Sequence, residues 1–177
     1  MSKIGRKSIK IPKNIKIDTK DRNIVKFEGP LGKADFYKNE EIGVNILKNE
    51  ISLYRKKKSK NVNSLWGLHR ALIKNIIEGI TLGYKKKLII KGVGYKVYLK
   101  KNFLLIKMGY SHDIVYYVPK EVKVKCVGNE IDIISHDKRI LGQVCHEIKN
   151  IRKIDVYKGK GIKLSNEKII LKQGKKK

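Results

Sequence analysis

The feature that most constrains this chain is that it is written twice. Asn49-Glu50-Ile51 recurs as Asn129-Glu130-Ile131, eighty residues on, and at that offset Gly29 falls on Gly109. Further along, Ile73-Lys74-Asn75-Ile76 recurs as Ile148-Lys149-Asn150-Ile151, seventy-five residues on, where Gly67 falls on Gly142. Each match is short and drawn from the commonest residues of the chain, so their shared order carries the weight. The fall in offset requires a connection five residues shorter in the second copy: residues 55–63 hold that place in the first, and 135–139 in the second. Two small domains are therefore expected, residues 1–82 and 83–177, with residues 81–87 as the joint. Units of this size can fold alone, but with small cores.

Within each unit the pattern is several strands and then one helix. Residues 24–27, 42–47 and 51–54 are short β-prone runs separated by Gly, Pro, Asn and Lys, as are 103–108, 114–118, 122–127 and 131–134. Residues 64–80 switch period: Leu65, Leu68, Leu72, Ile73, Ile76 and Ile80 follow helical spacing, with Ser64 as N-cap and Gly79 or Gly83 as the stop. Leu141, Val144, Cys145, Ile148 and Ile151 make the second stripe. The expected class is α+β: two tandem similar domains, each a small, mainly antiparallel sheet with a helix packed on one face.

Charge names the kind of partner. The chain carries 43 Lys and Arg against 16 Asp and Glu, a net +27, yet 41% of its residues are hydrophobic, so it builds cores and is no disordered tail. Such an excess opposes compaction unless polyanions neutralise it, and nucleic acid does so by counterion release. Lysine outnumbers arginine 37 to 6; an AT-rich genome produces that skew but does not explain so few carboxylates.

Catalysis finds no footing. His69, His112, His136 and His146 show no metal-ligand spacing, and Cys126 and Cys145, both in apolar runs, read as small hydrophobes in a reducing compartment. Gly92-Val93-Gly94 lacks the third glycine of a dinucleotide fingerprint, since Val97 stands there, and neither Gly32-Lys33 nor Gly159-Lys160 continues as a P-loop. No enzyme, no metal, no cofactor and no small-molecule substrate is expected. No apolar run approaches the roughly 20 residues of a membrane span, and no signal core or transit peptide is read at the start.

Four basic segments remain as candidate RNA contacts. They are Lys3, Arg6 and Lys7, interleaved with isoleucines near the start; Arg55, Lys56, Lys57 and Lys58 before the first helix; Tyr157, Lys158, Gly159, Lys160, Gly161 and Lys163; and Lys172 with Lys175 in the terminal stretch. The third is the most specific. Lysines pair with phosphates, glycines admit close backbone approach, and a tyrosine can stack on a base or ribose.

The chain resembles the family of large-subunit ribosomal protein six of the bacterial type. The likeness runs through Ser2-Lys3-Ile4-Gly5-Arg6-Lys7, Gly29-Pro30-Leu31-Gly32, Glu78-Gly79, Gly92-Val93-Gly94-Tyr95 and Gly109-Tyr110-Ser111-His112, ending in Tyr157-Lys158-Gly159-Lys160-Gly161-Ile162. The family usually has prolines just before that last tyrosine, where this chain has Lys153-Ile154-Asp155-Val156, which raises the question of what holds the loop. The resemblance implies two duplicated α/β domains on 23S-type rRNA near the stalk base and sarcin–ricin region, with the second domain and tail making most RNA contacts. It also implies neighbouring large-subunit proteins as partners, and a bacterial cytoplasmic ribosome, or a plastid or mitochondrial one if organelle-encoded. The other reading the residues allow is a free-standing RNA chaperone or regulator.

Overall fold

The computed structural model describes residues 5–19, 23–47, 49–57 and 59–174. The chain folds as two units, Met1–Gly83 and Tyr84–Lys177. In the first, β1 (Ile9–Lys10), β2 (Lys16–Asp18), β3 (Ile24–Gly29), β4 (Gly32–Tyr37), β5 (Ile42–Leu47) and β6 (Glu50–Arg55) precede α1 (Lys60–Leu82). In the second, β7 (Tyr84–Lys91), β8 (Lys96–Lys100), β9 (Phe103–Lys107), β10 (Ile114–Tyr117), β11 (Val122–Val127) and β12 (Glu130–Ser135) precede α2 (Lys138–Ile151) and β13 (Gly161–Leu164). The class is the expected α+β, with all strand pairs antiparallel.

The two units share one strand order. The first has sheets β1-β6-β5 and β2-β3-β4; the second has β7-β12-β11, extended by β13, and β8-β9-β10. Equivalence extends to single carbonyls. Asn49 O accepts from Ile11 N–H at 2.8 Å and Asn129 O from Ile90 N–H at 2.9 Å, while Asn23 O takes Lys38 N–H as Asn102 O takes Val118 N–H, both at 2.9 Å. Each unit has its own core. Val25, Phe27, Ile42, Ile51, Trp66, Ile73 and Ile80 anchor the first, and Leu88, Leu104, Ile106, Ile131, Ile133, Leu141 and Ile148 the second. Each fully buried Ile or Leu contributes roughly 2 kcal/mol.

Four expectations need correcting. First, α1 starts at Lys60 with Ser59 as N-cap, whose Oγ accepts from Val62 N–H at 3.3 Å; Ser64 lies inside the helix and bonds back to Lys60 O. The five-residue fall in offset therefore splits in two: a connection two residues shorter (56–59 against 136–137) and three fewer residues at the start of α2. Second, Leu68 and Leu72 are exposed, because α1 carries apolar residues on two faces and buries the one set by Val62, Trp66, Ile73, Ile77 and Ile80. Third, the joint expected over residues 81–87 is tighter than that: the boundary falls between Gly83 and Tyr84, with no linker between helix and strand. Thr81 and Leu82 finish α1, Gly83 caps it at φ +73°, and residues 84–87 begin β7, whose Lys85 and Lys87 pair with Asp132 and Glu130 across the ladder to β12. Fourth, residues 161–164 are a core strand rather than part of a basic loop: Ile162 is fully buried.

Candidate nucleic-acid interface

The segment after α2 is a closed loop built by backbone bonds. Ile162 N–H donates to Arg152 O at 3.0 Å, and Asp155 N–H to Lys160 O at 2.8 Å. Asp155 is the hub: its carbonyl accepts from Gly159 N–H at 2.8 Å, and its Oδ1 from Tyr157 N–H at 2.9 Å. This is an Asx turn closed on both sides, and it answers what holds the loop where the resembling family has prolines. Asp155 was not picked out from the sequence, although an aspartate two residues before the tyrosine was the available signal.

The two glycines do different things. Gly159 sits at φ +68° inside the turn, a conformation other residues reach only with strain. Gly161 is buried, and a Cβ there would stand 2.7 Å from Ile154 Cα and 2.7 Å from Lys153 O; it lets the chain pass its own backbone into β13. Tyr157, Lys158 and Lys160 project outward, Tyr157 being 60% exposed. Among the described residues neither Lys158 nor Lys160 has a carboxylate partner. Lys163 is half-buried, and its Nζ donates to Glu167 O at 3.3 Å. Lys172 is exposed, and its N–H ties the terminal stretch to Val156 O at 2.9 Å. The helix end beside the loop is braced by Tyr110, whose hydroxyl donates to Ile151 O at 2.8 Å under the Arg152 guanidinium.

In the first unit the basic residues are less concentrated. Arg55 is half-buried, lies 4.8 Å over the Trp66 ring and donates to Asn63 Oδ1, so part of its capacity serves the fold. Lys56 and Lys57 are exposed before α1, as are Arg6 and Lys7, and Lys7 O accepts from Arg70 Nε at 3.3 Å. Lys3, Lys58 and Lys175 lie outside the described residues.

The remaining chemistry-bearing residues serve structure or are exposed. His69 is buried and His112 and His146 are exposed; Cys145 is buried and Cys126 half-buried, and burial pushes both thiols up. Among the described residues no three of His, Cys, Asp or Glu gather as a metal site, and no helix is long and apolar enough to cross a membrane.

A family model described as ribosomal protein L6 matches residues 11–83 and again residues 91–164, one match per unit. The chain is 40% identical over 178 residues to the large ribosomal subunit protein uL6 of Bartonella tribocorum, with all of both chains covered. It is 41% identical over 175 residues to that of Hydrogenobaculum sp., covering 99% of this chain and 96% of the other. With that of Mycoplasmoides gallisepticum the identity is 41% over 178 residues, covering 99% and 97%.

Proposed function

The chain belongs to the ribosomal protein L6 family, and from that premise we propose that it binds 23S-type rRNA near the stalk base and sarcin–ricin region as a non-catalytic constituent of the large subunit. It is a large-subunit ribosomal protein whose relatives are bacterial, and its place is a cytoplasmic ribosome among neighbouring large-subunit proteins. One observation carries the RNA reading: Lys158 and Lys160 are exposed and, among the described residues, without a carboxylate partner, on a loop already locked by Asp155. Phosphate contact needs no readout geometry, only positive charge held in register. A pre-closed loop supplies the register, so little ordering entropy is lost on binding. Arg6, Lys7, Lys56, Lys57 and Lys172 add weaker contacts, as does whatever Arg55 and Lys163 retain beyond their internal partners.

The test uses the full chain. Lys158→Glu with Lys160→Glu removes two attractions and adds two repulsions, so affinity for the large-subunit rRNA fragment should fall at least tenfold. The melting temperature should stay within a few degrees of the parent, since both side chains are exposed. Unchanged binding by the charge-reversed protein would place the phosphate contacts elsewhere. Failure of the parent to co-sediment with the large subunit would favour a free-standing RNA-binding role instead.

A further inference from the structure

The duplication supplies its own control for reading surfaces. Sheets β2-β3-β4 and β8-β9-β10 occupy equivalent places, and each turns one face inward: Val25, Phe27 and Phe36 in the first, Val97, Leu104 and Ile106 in the second. Their outer faces differ in chemistry. In the first unit the cross-strand rows read Lys16–Glu28–Lys33 and Asp18–Lys26–Asp35, alternating in sign, with Lys33 and Glu28 joined at 2.7 Å. Those two rows suit water, and an apolar pair, Ile24 with the exposed Tyr37, follows them on the same face.

In the second unit Lys96–Lys107–Asp113 stands in the place of Lys16–Glu28–Lys33, Tyr98–Leu105–Val115 replaces the charged row Asp18–Lys26–Asp35, and Lys100–Phe103–Tyr117 continues the row of Ile24 and Tyr37. Tyr98 and Val115 are each 45% exposed and Tyr117 is 76% exposed; the Phe103 and Tyr117 rings lie 6.0 Å apart. The one acid here, Asp113, is already paired to Lys107 at 3.0 Å, while among the described residues Lys96 and Lys100 have no carboxylate partner. Beyond β8 the surface continues into an open groove of about 720 Å³ between residues 96–99 and 125–129, with Lys125 on its far wall. The face is prebuilt, because Tyr116 on β10 donates its hydroxyl to Glu147 of α2 at 2.5 Å and fixes the sheet to the helix.

An exposed apolar face marks a partner, and its lysine border selects which. A protein segment would need to meet apolar rows and unpaired lysines together. Unpaired nucleotides offer both, bases for the rings and phosphates for the ammonium groups. We propose that the outer face of β8-β9-β10 is a platform for unpaired RNA nucleotides, distinct from the basic loop at residues 157–160, which leads into β13 of the other sheet. The proposal rests on the RNA-binding reading above and adds what that reading lacks, a surface that tells single strand from duplex.

The experiment compares the full-length parent with Tyr98→Leu/Tyr117→Leu and with Tyr98→Phe/Tyr117→Phe. The probes are a labelled unstructured RNA of about ten nucleotides and a fully paired duplex, at roughly 0.3 M salt, where phosphate attraction is weakened and stacking persists. The leucine pair should lose at least tenfold in single-strand affinity, at about a tenfold effect per stacked ring, and change duplex affinity less than twofold. The phenylalanine pair should bind both probes like the parent. The platform is overturned if the leucine pair binds the single strand as the parent does, or loses both probes equally. It is also overturned if the leucine pair keeps its RNA affinity but no longer joins the large subunit, which would make the face a protein contact. Co-sedimentation of the parent keeps the two readings apart: its failure sinks the ribosomal reading, whereas an unaltered leucine pair in a co-sedimenting protein sinks only the platform.

Discussion

The two units are one design carried to different ends, and they diverge where the helix stops. α1 runs to Leu82, and its last turns drive Ile80 against Gly29, where a Cβ would fall 1.9 Å from the isoleucine's Cγ2. In the second unit the helix ends earlier, at Ile151, with Tyr110 capping its last carbonyl. The chain is thereby released at Arg152 to turn back, form the Asp155 loop and enter the sheet as β13. β1, a two-residue edge, becomes in its counterpart β7 an eight-residue strand paired on both sides. A shorter helix thus creates the basic loop. The outer sheet faces differ as well: the row Asp18–Lys26–Asp35 of the first unit is charged, and its counterpart Tyr98–Leu105–Val115 in the second is apolar.

The sharpest way to break this contrast is to close the passage into β13. Gly161→Val puts a branched side chain where Ile154 Cα and Lys153 O leave 2.7 Å, at a φ of +139°. We expect a loss of roughly 3–5 kcal/mol, from overpacking against backbone together with left-handed strain. Thermal melting with hydrogen exchange at Ile162 and Ile90 measures it. A variant that melts like the parent would show that β13 is an accessory to the second unit rather than part of its sheet.

A medium-sized effect tests how closely the copies correspond. His69 is buried in α1; its Nε2 accepts from Asn39 N–H at 3.1 Å, and its Nδ1 lies 2.8 Å from Leu65 O. The equivalent of Asn39 is Pro119, since Asn39 O and Pro119 O close the same turn onto Ile42 and Val122. Proline has no N–H, and the position equivalent to His69 is the buried Val144. Donor and acceptor are absent together. His69→Val alone should cost about 1–3 kcal/mol by orphaning a backbone N–H. Adding Asn39→Pro should recover about 1 kcal/mol of that, a coupling read from a double-mutant cycle. Strict additivity would mean that the two turns are not equivalent.

These particulars show what could be read in advance. The short repeats were enough to predict a duplicated α+β scaffold, because ladder positions such as Asn49 and Asn129 are set by local pairing. α2 was legible because its apolar residues lie on one face. α1 was not, because Leu68 and Leu72 imitate a core stripe on the wrong side and only tertiary packing chooses between faces. β7 hid behind Lys85-Lys86-Lys87, where two ammonium groups are matched by carboxylates on β12, a strand more than forty residues away. Of the candidate interface, Tyr157, Lys158 and Lys160 stood out by composition. The part of Gly161 and the hub at Asp155 did not, since both depend on backbone brought together from beyond the motif.

The smallest expected effect separates two lysines at equivalent places in the helices. Lys74 pairs with Glu78 one turn on, at 3.3 Å, on an exposed helix surface. Lys149 instead reaches past β13 to Glu167 at 2.6 Å, and the other Glu167 oxygen accepts from Leu164 N–H at 3.2 Å. The hydrogen bond from Lys149, followed by that from the Leu164 backbone, holds the Glu167 carboxyl below the usual carboxylate range despite partial burial. A depressed carboxylate stabilises the fold at pH values above its unfolded value, near 4.3, and loses that contribution as pH falls through the folded one. Glu167→Gln should therefore cost about 0.5–1 kcal/mol at pH 7, discounted for a side chain one-third exposed, and almost nothing near pH 3. Glu78→Gln, which removes only an exposed helix pair, should cost about 0.3 kcal/mol. Urea midpoints of both variants across that pH range decide the matter. If Glu167→Gln costs no more than Glu78→Gln, or costs the same at both ends of the range, the pair does not clamp β13 to α2, and the strand is held by its ladder to β7 alone.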